Sequence, residues 1–77
     1  MKYWKDTSFE SSTSYHALEG TRMIQITTHK YSKDVYIDMM FLDDLFEPYL
    51  GMKEITEEEF LEKFKEACAS IINELQS

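Results

Sequence analysis

Seventy-seven residues, 43% of them hydrophobic and 14% aromatic, predict one folded domain over residues 1–77 with one core, and they exclude a disordered tail. A single cysteine, Cys68, excludes an internal disulfide and a thiolate zinc site, and no stretch approaches the roughly 20 apolar residues of a membrane span. The net charge of −7 is unevenly placed: residues 1–33 carry five basic and three acidic side chains, residues 34–77 carry three and twelve, and no Lys or Arg lies between Asp34 and Met52.

Residues 2–10 are the candidate first strand, with Tyr3 or Trp4 and Phe9 as anchors, and the polar run Ser11–Ser14 reads as a loop. Residues 15–18 suit a short strand that turns at Glu19-Gly20, where glycine takes a positive φ cheaply. From Arg22 the period is two. Ile24, Ile26 and Thr28 share one face, and Met23, Gln25, Thr27 and His29 the other. Residues 35–42 repeat the pattern, with Val35, Ile37, Met39 and Phe41 opposed to Tyr36, Asp38, Met40 and Leu42. The short polar stretch Lys30–Asp34 between these strands suits a hairpin loop.

Asp43–Met52 is an irregular segment containing Leu45, Phe46, Tyr49, Leu50 and Met52, broken by Pro48 and Gly51. It reads as a short turn or a single helical turn capped by Asp43 and stopped by Pro48. Thr56 followed by Glu59 then forms a capping box, Ile55 and Phe60 have the spacing of a hydrophobic staple, and Glu57–Glu59 suit the positive end of a helix dipole. Phe60, Leu61, Phe64, Ala67, Cys68, Ile71, Ile72 and Leu75 fall within an arc of roughly 140°. At 1.5 Å per residue this helix is about 30 Å long.

The expected fold class is α+β: a three- or four-stranded antiparallel meander, then one long C-terminal amphipathic helix packed on one sheet face. No apolar h-region follows Met1–Trp4, so a reducing, cytoplasmic setting without a secretory signal is expected.

The chemistry-bearing residues do not form a catalytic set, so no enzyme activity is expected. His16, His29, Asp34 and Asp38 lack metal-ligand spacing, and no metal or cofactor is expected. Cys68 sits on the apolar arc of the helix, where a thiol is inert. The two glycines, Gly20 and Gly51, make no phosphate-cradling loop. Lys2, Tyr3, Trp4 and Lys5 are a fragment of a single-strand-binding pattern, which core anchoring explains more simply.

What remains is protein binding. The acidic half opposes direct nucleic-acid binding and attracts a basic, nucleic-acid-binding protein, although solubility alone also accounts for an acidic surface. A helix covers one sheet face, which leaves Met23, Tyr36, Met40 and Leu42 on the other, either as an open apolar patch or covered by the N-terminal strand or residues 45–52. The expected protein-binding residues are Asp34, Tyr36, Asp38, Met40, Asp43, Asp44, Phe46, Glu47 and Tyr49. The profile, small and acidic with no catalytic set, is similar to that of phage-encoded inhibitors, anti-CRISPR proteins among them. The likeness is one of profile and implies occupation of a basic groove on a partner. The alternative expectation is a homodimeric structural or adaptor module.

Overall fold

The computed structural model describes residues 1–44, 46–49 and 51–76. In chain order these residues form β1 (Lys2–Asp6), β2 (Ser12–Glu19), β3 (Arg22–His29), β4 (Val35–Phe41), β5 (Met52–Ile55) and α1 (Glu57–Gln76). The strands make one antiparallel sheet in the order β4-β3-β2-β1-β5.

The first four strands are a meander, because short connections leave sequential strands as neighbours. Glu19 pairs with Arg22 across a two-residue turn. Gly20 has φ +62° while Thr21, the second turn residue, has no positive φ, the arrangement of a type II′ hairpin. At the far end of β1, Asp6 accepts hydrogen bonds from the Ser8 amide (2.9 Å) and the Ser8 hydroxyl (2.5 Å), a local turn that ends the strand. Phe9 therefore lies in a loop, 61% exposed, and is not the anchor its hydrophobicity suggested.

Two further segments differ from their sequence reading. The polar run expected as a loop at Ser11–Ser14 belongs to β2 from Ser12 onward. Its hydroxyl residues pair with others across the sheet, Thr13 with Thr28 and Ser14 with Thr27, and Thr28 Oγ1 donates to the Thr13 carbonyl at 3.3 Å. The second is Met52–Ile55, a fifth strand where three or four were expected. Only pairing with β1 makes it one, with Tyr3 opposite Ile55 and Asp6 opposite Met52, so nothing local announces it. The helical turn expected after Asp43 is not found among the described residues; Leu45 and Leu50 lie outside them.

The topology has a geometric consequence. β4 and β5 run in the same direction at opposite edges, so the connection from Leu42 to Gly51 must cross the sheet. It crosses one face, and α1 returns over the other. The helix-covered face carries the core: Tyr15, Ala17 and Ile26 from the sheet against Phe60 and Ala67 from α1. Tyr3, Ile24, Val35, Ile37, Ile55 and Phe64 pack around them. The Tyr3 and Phe60 rings are 5.2 Å apart, and Phe60 and Phe64 6.4 Å. Full burial of a side chain such as Phe60 contributes about 1.5–3 kcal/mol.

Thr56 caps the helix, its Oγ1 accepting from the Glu59 amide at 3.1 Å. Ile55 and Phe60, the staple pair, both join the core. The buried stripe of α1 is narrower than the arc read from the sequence. Phe60 and Ala67 are buried, Phe64, Cys68 and Ile71 are half-buried, and Leu61, Ile72 and Leu75 are exposed. The helix packs across β1, β2, β3 and β4, and its last turns flank a groove whose other wall is the start of β4.

Candidate protein-binding surface

The expected binding residues lie on β4 and on the crossing connection. Along β4, alternate side chains face away from the helix: Tyr36 (53% exposed), Asp38 (exposed) and Met40 (half-buried). Asp34 precedes the strand. Its carboxylate accepts from the Ser32 hydroxyl at 3.1 Å, and its carbonyl accepts from His29 Nδ1 at 3.1 Å. The His29 ring in turn meets Tyr36 edge-on at 5.4 Å. Asp43, Asp44 and Glu47 follow the strand, all exposed. Among the described residues none of these five acids has an ion-pair partner; Lys63–Glu66, at 3.3 Å, is the ion pair present there.

Phe46 and Tyr49 have a different placement. Both hold the connection against the sheet. The Phe46 ring stacks on His16, with centroids 6.1 Å apart and planes 21° from parallel. The Tyr49 hydroxyl donates a short hydrogen bond to Asp6 Oδ2, 43 residues away in sequence. Gly51, with φ +105°, passes so close to β1's end that a methyl on its Cα would sit 3.1 Å from the Ser8 Cβ. These contacts also alter the apolar patch expected on this face. Met23 is buried, Met40 and Leu42 are half-buried, and Tyr36 remains open.

Beneath the connection is a buried polar group that hydrophobic periodicity does not reveal. Asp6 (1% exposed), Ser14 and His16 are all buried on this face. Burial alone would raise the Asp6 pKa. The Ser8 hydroxyl, the Tyr49 hydroxyl, the Ser8 amide and nearby His16 outweigh it and hold the carboxyl below its ordinary value. Burial lowers the pKa of His16, opposed in part by Asp6, so the ring is neutral at pH 7. The bond to Asp6, then burial, raises Tyr49. His16 Nδ1 lies 3.4 Å from Met23 Sδ, while His16 Nε2 and Trp4 Nε1, cross-strand neighbours, have no partner among the described residues.

The groups weighed for metal chemistry stay apart. His16 is buried under Phe46, His29 meets Asp34 through a backbone carbonyl, and Asp38 faces Gln25 across the ladder. No group of three His, Cys, Asp or Glu side chains suited to a metal ion occurs among the described residues. No helix among them is long and apolar enough to cross a membrane.

No protein-family model matches the chain, and no curated protein or solved structure is significantly similar to it.

One exposed feature is not evident from hydrophobic periodicity. Met39 (71% exposed) and Phe41 (79%) point to the helix face yet lie beyond the helix's reach. With Met1, Ile24 and Arg22 they line a shallow apolar cavity of about 110 Å³, and the Arg22 guanidinium sits 5.7 Å from the centre of the Phe41 ring.

Proposed function

We propose that this protein is a non-enzymatic binding protein that uses its acidic edge to occupy a basic, nucleic-acid-binding surface of a protein partner, and so acts as an inhibitor. One observation carries the reading. Asp34, Asp38, Asp43, Asp44 and Glu47 are exposed, lie on one strand and its flanks, and have no ion-pair partner among the described residues. No Lys or Arg occurs between Asp34 and Met52 to neutralise them. Such a row sets up a negative field that attracts a basic groove and repels nucleic acid itself. β4 carries Asp38, and the Asp6–Tyr49 hydrogen bond ties the connection that holds Asp43, Asp44 and Glu47 to β1.

The test is capture of partners from a nuclease-treated lysate by the tagged protein, compared with a triple variant carrying Asp43→Lys, Asp44→Lys and Glu47→Lys. A nucleic-acid-binding protein retained at low salt, released at high salt and lost with the variant supports the reading. Equal capture by both forms refutes it.

A further inference from the structure

We propose that β4 takes up an extended segment of a protein partner as a sixth strand, and that this segment alternates apolar with basic side chains. The inference rests on the preceding reading of a basic partner and adds the mode by which that partner is held.

The two sheet edges differ. β5 has four residues and carries Lys53 and Glu54 at its centre, and short charged strands of this kind resist further pairing. β4 has seven residues, with no lysine and no proline. Its ladder to β3 runs without a bulge from Arg22–Phe41 to Thr28–Val35. It is longer and regular, and its one charge, Asp38, leaves the edge open to a strand that carries the opposite charge.

The direction of its free hydrogen-bonding groups follows from one contact. The Leu42 amide donates to the Thr21 carbonyl at 2.7 Å, so Leu42 points its backbone inward to β3. In an antiparallel ladder the alternation then turns the amides and carbonyls of Ile37, Met39 and Phe41 outward. Those residues put their side chains on the helix face, where Met39 and Phe41 are largely uncovered. At the other end of the strand, a groove of about 210 Å³ separates Val35 and Tyr36 from Ile71 and Leu75 of the last helical turns, with Lys33, Asp34 and Glu74 also lining it, and Leu75 is 81% exposed. An added strand lies in this gap. Its helix-side residues meet Ile37, Met39, Phe41 and Leu75 and are therefore apolar. Its opposite residues meet Tyr36, Asp38 and Met40, with Asp43 and Asp44 beyond, and the three acids there call for basic partners.

A basic segment suits this edge better than a second copy of the chain, which itself carries a net charge of −7. In the register of fullest overlap, a two-fold axis at Asp38 sets that residue against itself, and an axis at Met39 sets Asp34 opposite Asp44 of the other copy; like charges directly opposed weaken a ladder. An axis at Ile37 avoids both oppositions, which is why the free protein's oligomeric state is part of the test.

The probe is a capped nine-residue peptide of alternating valine and lysine, compared at low salt with a scrambled peptide of the same composition. Amide exchange is read by NMR on the labelled protein. The alternating peptide is expected to bind at least about tenfold more tightly than the scramble, because only it satisfies the edge in register. It should slow exchange at the Ile37, Met39 and Phe41 amides and leave those of Asp38 and Met40, already bonded to β3, unchanged. Methylating the peptide nitrogens that face β4 should abolish the difference, and Asp38→Lys should weaken binding. Equal binding of both peptides without that protection overturns strand addition while leaving acidic docking intact. Failure of both peptides to bind overturns it as well, and so does a dimer of the free protein in which the same amides are already protected.

Discussion

Replacing Tyr49 by Phe removes one oxygen and with it the hydrogen bond to the Asp6 carboxylate. A hydrogen bond to a charged group contributes about 1.5–3 kcal/mol. Two features of the site move the expected cost within that range. Asp6 is 1% exposed, so little water replaces the lost donor on its side, but Tyr49 is 48% exposed and its hydroxyl is readily hydrated. Asp6 also keeps its two bonds from Ser8. The expected loss is about 1.5 kcal/mol at pH 7. Asp6→Asn removes the charge but keeps an acceptor, and should cost about 2 kcal/mol. If the pair acts as a unit, the double variant costs about 1 kcal/mol less than the two single losses together. Urea unfolding, followed by the fluorescence of the single tryptophan, Trp4, measures all four proteins. The sign with pH is fixed as well. The Asp6 pKa is depressed in the folded state, so this stabilisation is present above the ordinary value near 3.8 and is lost as pH falls through the native value. The Tyr49→Phe cost should shrink in the same range. Losses that add within about 0.3 kcal/mol would refute the link as the fastening of the crossing connection.

Three further outcomes are expected. Ile26, with none of its surface exposed, should lose about 1 kcal/mol on Ile26→Val, seen as a lower urea midpoint with an unchanged slope. Thr56→Ala removes the acceptor for the Glu59 amide and should cost about 1 kcal/mol, with circular dichroism showing earlier loss of helix on heating. His16 has a native pKa below its ordinary 6.5, so as pH falls from that value the unfolded chain takes up a proton that the folded chain resists, and stability declines. Urea midpoints at pH 7.5 and pH 5 should differ in the parent protein and differ less in His16→Gln, whereas an equal difference in both would exclude His16 as the source.

Local signals marked some elements well. The alternation at Met23–His29 and Val35–Phe41 and the Thr56–Glu59 cap are properties of a few adjacent residues, and the structure places strands and a helix start there. Distant partners decided the rest. Ser12–Ser14 is strand because Thr27 and Thr28 lie opposite, and Met52–Ile55 because β1 offers it an edge. The width of the helix's buried face was overestimated for a similar reason. Periodicity reports which residues are apolar, not which of them a neighbouring element covers, and Leu61, Ile72 and Leu75 stay exposed. The acids at Asp34–Glu47 were legible as a run without cations. The anchoring roles of Phe46 and Tyr49 were not, because His16 and Asp6 are 30 and 43 residues away.

The most direct measurement of the central proposal is competition on a captured basic partner: labelled nucleic acid is bound to that protein, and this chain is titrated in. Inhibition through the acidic edge requires stoichiometric displacement by the parent protein that weakens with salt and is lost when Asp43, Asp44 and Glu47 are changed to lysine. Formation of a ternary complex, with the nucleic acid still bound, would contradict it.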